Sequence, residues 1–136
     1  YVARASDELR GSEDIVAVLQ EASRGEERSE AEVCLLVSRL RRAIASQAGE
    51  TVTDIGEARR LWHLAVATYD AEENHQAAVL FECVQLVAQH PTVLLNAARC
   101  YSTDRDWVSA LRAFDRYLAA RPEVAAEHAA RGLQAG

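Results

Sequence analysis

At 136 residues, 49% of them apolar, the chain is long enough for one domain to bury a core without staples and too apolar for general disorder. Its net charge is −6, and every basic residue apart from the histidines is Arg, with no Lys and no Met. An acidic chain without a basic stripe argues against nucleic acid and an anionic membrane surface as partners, and its apolar runs are too short to span a bilayer.

The negative charge gathers early: residues 1–57 carry 7 Arg against 12 Asp and Glu, whereas residues 58–136 carry 8 against 9. No basic stretch followed by an apolar run and a cleavage site is present. The start at Tyr1 and the lack of Met point to a trimmed or processed form, in which targeting information is expected to be missing. Cys34, Cys83 and Cys100 form an odd set without a CxxC, each among apolar neighbours. They read as small buried hydrophobes rather than as a disulfide or metal set, which leans toward a reducing compartment.

Turn signals divide the chain into helical units, and no strand pattern occurs. Residues 1–11 are expected to be a flexible arm. Ser12 can cap a helix running to about Ser23, with Gly25 beyond its end. Ser29 and Glu32 have capping-box spacing, and the helix that follows carries Val33, Leu36, Val37, Leu40 and Ile44 as its apolar stripe until Gly49 ends it. Arg39, Arg41 and Arg42 fall off that stripe and are expected on a solvated side. Asp54 and Glu57 offer a second capping box, opening a helix to about Ala71. Helices follow at roughly 74–89, 92–102, 106–120 and 123–134. Short loops make neighbours antiparallel. The segment from Ala77 to Ala88 is apolar nearly all round, so residues before 58 are expected to pack onto it.

The most regular stretch runs from Cys100 to Pro122. Trp107, Ala110, Leu111, Phe114, Tyr117 and Leu118 form a stripe, with Trp107 and Phe114 expected in the core. Leu94, Ala97, Ala98 and Tyr101 lie on the preceding helix, and the small residues at 97, 98 and 110 allow close helix approach. The same spacing occurs 33 residues earlier: Leu61, Leu64, Ala65 and Thr68 match Leu94, Ala97, Ala98 and Tyr101, and Ala77 and Phe81 match Ala110 and Phe114. A two-helix unit of this period is the signature of a solenoid.

These residues resemble the tetratricopeptide repeat (TPR) family, strongly over 91–122 and less completely over 58–90, where Thr68 stands in place of Tyr and Pro91 comes two residues late. Leu94 stands where the family usually has Trp. Ala126, Ala129, Ala130 and Leu133 resemble a half-repeat, so 123–136 reads as a capping helix, and 12–57 as N-terminal helices that include a degenerate repeat. The resemblance implies an all-α fold, a right-handed α-α superhelix of antiparallel helix pairs with about six to seven helices, forming a single domain.

It also implies a concave wall that receives a peptide or helix of another protein. Carried over residue by residue, the inward-facing positions are Arg59, Trp62, His63, Val66 and Tyr69 from one repeat, and Asn96, Arg99 and Thr103 from the next. Trp62 and Tyr69 are stiff anchors, Arg59 and Arg99 suit carboxylates, and Asn96 suits an extended backbone. Burial of Trp62 under the N-terminal helices is the competing expectation. Of the carboxylate-clamp positions of chaperone adaptors only Asn96 fits, since Trp62 and Val66 occupy the others.

Catalysis has little support. His63, His75, His90 and His128 are scattered, there is no HExxH, no metal-ligand spacing and no Gly-rich phosphate loop. The expectation is a non-enzyme without metal or cofactor: a scaffold or adaptor for another protein, not membrane-spanning, with homo-oligomers allowed. A secretion-type chaperone for one client and a regulatory or sensor domain of a larger protein are the alternatives. The C-terminal pattern also resembles bacterial TPR proteins of the cell envelope, and the cytoplasm is the other compartment considered.

Overall fold

The computed structural model describes residues 27–123 together with Ala17, Gln20, Glu21, Ala126 and Glu127. Five α-helices and no strand lie among them: α1 (Glu30–Gln47), α2 (Asp54–Asp70), α3 (Asn74–Ala88), α4 (Val93–Thr103) and α5 (Trp107–Ala120). The arm expected at 1–11, and most of the helix expected at 12–23 and of the cap expected at 123–136, lie outside the described residues. No described helix is long and apolar enough to cross a membrane.

The helix starts follow local chemistry. Ser29 Oγ accepts the Glu32 N–H at 3.2 Å, and Glu30 and Glu32 place negative charge in the first turn of α1. Asp106 caps α5 by accepting the Ser109 N–H at 3.2 Å. The second capping box is misplaced by one residue. Thr53 is the N-cap of α2 and accepts the Gly56 N–H at 3.0 Å, which releases Glu57 for the interior.

Helix α3 is the centre of the fold. It touches α1, α2 and α4, and Ala77, Ala78, Val79, Phe81, Glu82, Cys83 and Val84 are all buried. Ala77, Ala78, Ala65 and Ala97 are wholly buried, so backbones meet where a larger side chain would hold them apart. The core continues through Ala58, Leu61, Val93, Cys100 and Tyr101 to Ala110 and Ala113. The covering demanded by the all-round apolarity of α3 comes from α1, which lies against it.

The face α1 uses differs from the expected stripe. Ala31, Cys34 and Ser38 take the side toward the other helices, while Val33, Val37 and Ile44 stand exposed and Leu36 is buried. Small side chains let α1 approach α3, so closeness rather than apolar size selects the contact face. Nor are the three arginines of α1 merely solvated: Arg39 pairs with Glu21, Arg41 with Glu57 and Arg42 with Asp54.

The 33-residue period reappears in the backbone. The turn from α2 to α3 and that from α4 to α5 have the same bonds in the same register. Glu73 N–H donates to Thr68 O and Asp106 N–H to Tyr101 O, at 3.1 and 2.9 Å, while Glu72 N–H reaches Tyr69 O and Arg105 N–H reaches Ser102 O. Both are Schellman closures. Each puts a non-glycine residue in the left-handed region, Glu72 at φ 65° and Arg105 at φ 60°.

On α5 the expected core is corrected. Ala110, Ala113 and Tyr117 are buried, Phe114 is half-buried, and Trp107 and Leu111 are 60% and 69% exposed. The stripe through 107, 111, 114 and 118 lies about a quarter-turn away from the face holding 110, 113 and 117. On α3 the matching stripe includes Ala78 and Phe81, buried in the core against which α4 packs.

Two outcomes follow for unfolding measured by denaturant titration. Phe81→Ala should lose about 3–5 kcal/mol, whereas Trp107→Ala should stay within about 1 kcal/mol; similar losses would contradict the assignment of faces. Arg105→Gly relieves the left-handed backbone and should raise stability by about 0.5–1 kcal/mol, and a loss would show that the Arg105 side chain contributes more than the strain it brings.

Candidate functional site

A groove runs between α2 and α4 over α3. Its larger cavity, about 560 Å³, is walled by Ile55, Ala58, Arg59 and Trp62 of α2, floored by Val84 and Ala88 of α3, and closed by His90, Thr92, Val93 and Asn96. A smaller hollow continues it past Asn96, between Val66 and Tyr69 on one side and Arg99 and Cys100 on the other, with Phe81 beneath. Asn96 lines both.

The groove gathers six of the eight residues singled out in the sequence. Arg59, Trp62 and Asn96 line the larger cavity, and Val66, Tyr69, Asn96 and Arg99 the smaller. Trp62 remains 40% exposed. His63 lies outside both cavities, its ring edge-to-face with Trp62 at 5.4 Å. Thr103, the last residue of α4, is outside both cavities as well, and its hydroxyl donates back to the Arg99 carbonyl at 3.0 Å. Arg59 and Arg99 form no ion pair among the described residues, although the arginines at 39, 41, 42, 60, 116 and 121 hold carboxylates.

Sequence reasoning missed Ile55, Val84, Val93 and His90. Ile55 was within reach: 55, 59, 62, 66 and 69 alternate spacings of four and three on one helix stripe. Ile55 is 70% exposed at the mouth of the cavity. Val84 and Val93 come from α3 and α4 and His90 from the loop between them, and only three-dimensional packing brings them to α2.

Two buried carboxylates on other faces were also missed. Glu57, only 2% exposed, accepts from Arg60 at 2.5 Å and Arg41 at 3.1 Å, and so ties α1 to α2. Burial works against its ionisation, but the hydrogen bond from Arg60, with the Arg60 and Arg41 charges, prevails and holds its pKa below the ordinary value. Glu82 on α3 accepts from Tyr101 Oη at 2.6 Å and Arg116 at 3.0 Å. Burial, then the bond and charge of Glu82, push the Tyr101 phenol pKa up. Beside them His75 meets Glu30 at 2.8 Å, linking α3 to the start of α1. These groups are saturated by one another and act as ties between helices.

A further hollow of about 330 Å³ at the end of α1 contains Arg39 and Arg42. Both are already held by carboxylates, so neither is available as a charged anchor. Among the described residues no three His, Cys, Asp or Glu side chains gather as a metal site. Comparison with protein-family models, curated proteins and solved structures gave no match.

The Glu57 tie has a pH signature. A carboxyl whose folded pKa lies below its unfolded value stabilises the fold above the unfolded pKa, and the contribution disappears as pH falls through the folded pKa. Glu57→Gln should therefore cost about 1–3 kcal/mol at pH 7, and the gap to wild type should close as the pH drops below about 4. Urea titrations at both pH values measure this; a gap that persists in acid would assign the loss to packing instead.

Proposed function

We propose that the chain is a non-catalytic protein-interaction module whose groove takes a peptide or helical segment of another protein. The carrying observation is the pairing of an apolar cavity with Arg59 and Arg99, two cations that pair with no carboxylate among the described residues, in a chain of net charge −6. An apolar side chain of the partner would enter between Ile55, Trp62, Val84 and Val93. Carboxylates on the same segment would meet the guanidinium groups, and the Asn96 amide, with a donor and an acceptor, would bond an extended backbone. Aromatic and Arg side chains at a partly desolvated surface are the residue types that dominate binding energy at such contacts.

The repeated helix pair and its repeated turn support a TPR-like superhelix, with this groove on the concave side. On that reading the first helix of each pair presents the ligand-facing residues and the second builds the floor.

The test is selection of peptides from a random library on the immobilised chain, followed by calorimetry. Selected sequences should combine a bulky apolar residue with acidic residues. Replacing Asn96 and Arg99 together by Ala should weaken their binding by about 1–3 kcal/mol, roughly 5–150-fold, with the helical circular dichroism unchanged. Arg112→Ala, away from the groove beside the Tyr101–Glu82 pair, should leave binding as it was. Peptides that are indifferent to the double substitution but lost on changes within residues 30–47 would move the binding surface to α1.

A further inference from the structure

Trp107, Leu111, Phe114 and Leu118 form one stripe along α5, at spacings of four, three and four residues. Trp107 and Leu111 stand exposed, Phe114 and Leu118 are half-buried, and Val108 is exposed at the edge. One repeat earlier the same positions are Asn74, Ala78, Phe81 and Gln85, and there Ala78 and Phe81 are buried in the core against which α4 packs. The stripe of α5 is thus more apolar than its covered counterpart, although it meets water. A helix face left to water is ordinarily polar, and a contiguous exposed apolar patch marks a surface that another molecule covers. None of these residues lines the groove.

We propose that this face of α5 is a self-association surface, on which a second copy of the chain lays its own α5 antiparallel across a two-fold axis.

The stripe is its own complement in that orientation, as an interface between identical surfaces requires. Apolar residues at alternating spacings of four and three form a seam that a second helix can enter. With the axis between Leu111 and Phe114, Trp107 meets Leu118 of the second copy, and Leu111 meets Phe114 of the second copy. Every layer then sets one aromatic ring beside one leucine. A parallel arrangement would instead set indole on indole and leucine on leucine, alternating crowded layers with thin ones. Charge selects the same orientation. The turn leading into α5 carries Asp104 and Asp106, and Arg121 stands at the other end of the helix. Antiparallel docking brings the acidic turn of each copy to Arg121 of the other, whereas parallel docking stacks like on like. Arg121 already holds Glu123, with both side chains in contact with solvent, and a guanidinium has donors enough for a second carboxylate.

The size of the face sets the strength. Removing the open parts of the stripe and its rim from water on both copies buries on the order of 1,000 Å², the lower end for a specific interface. Such an interface is weak, so the single chain with a wet Trp107 prevails in dilute solution and the pair at high concentration. The groove stays open in the pair, which therefore presents two grooves at once. On the reading of the groove given above, a partner carrying two binding segments gains by holding both.

The test is sedimentation of the intact chain from about 1 μM to about 1 mM, a range that spans weak association, with tryptophan emission and acrylamide quenching read on the same samples. The mass should rise from one chain toward two, and the emission should shift to the blue and resist quenching in step with it. Trp62→Phe removes the groove indole and should keep that shift, which assigns it to Trp107. Leu111→Glu puts a charge at the centre of the seam on both copies and should weaken association by about tenfold or more, while Val37→Glu, on an exposed position of α1, should leave it unchanged. A single chain throughout the range would overturn the proposal. So would a Trp107 shielded at every concentration, which would give the face to the chain's own C-terminal residues. An association that survives Leu111→Glu, or that Val37→Glu abolishes, would place the contact elsewhere and overturn it equally. If Leu111→Glu fails to fold, the concentration-dependent shielding of Trp107 in the Trp62→Phe chain decides the question.

Discussion

The fold depends on the emptiness of the places where helices cross. Ala65, Ala77, Ala78 and Ala97 are wholly buried around α3, and the energy there comes from the contacts that close backbone approach brings to Phe81, Val84, Leu61 and Tyr101 rather than from the alanines themselves. Because α3 has neighbours on three sides, its position sets those of α1, α2 and α4. The groove is one result: α2 and α4 rise on either side of α3, and the width between them is the distance at which small residues let each of them rest on it.

The polar groups that cross the fold are arranged around this apolar centre. Glu57 fastens α1 to α2, Glu82 joins α3 to α4 and α5, and His75 meets Glu30 between α3 and α1. Glu57 and Glu82 each lie at a seam where a neighbouring helix reaches them, so their burial is offset by two donors apiece. Arg59 and Arg99 lie at no such seam.

How much of this could be read from the sequence depended on whether one helix or two were needed. The all-α class and the extents of α1 to α5 came from caps, periodicity and turn residues, and the 33-residue period was visible in Ala77, Phe81, Ala110 and Phe114 before it was visible in the turns. The groove positions of α2 were legible because a single stripe carries them, and Ile55 was overlooked on that same stripe. Val84 and Val93 were not legible, since nothing in their own segments distinguishes a groove lining from a core. The Trp107 error has a similar source. A helix pattern shows which residues share a face, but the neighbour that covers the face is not part of the pattern. Glu57 was misread because its spacing from Asp54 imitates a capping box, while Thr53 and Gly56 supply the cap one residue earlier.

The exposure of Trp62 and Trp107 affects what light can report. The chain's two tryptophans both stand in contact with solvent in the folded state, one at 40% and the other at 60% of its surface. Their emission therefore resembles that of an unfolded chain, and intrinsic fluorescence is a dim witness to folding. For occupancy it is the better instrument. A ligand seated in the groove would strip water from one indole and leave the other wet, so a blue shift of half the signal would mark the groove as filled, with the second tryptophan serving as an internal reference.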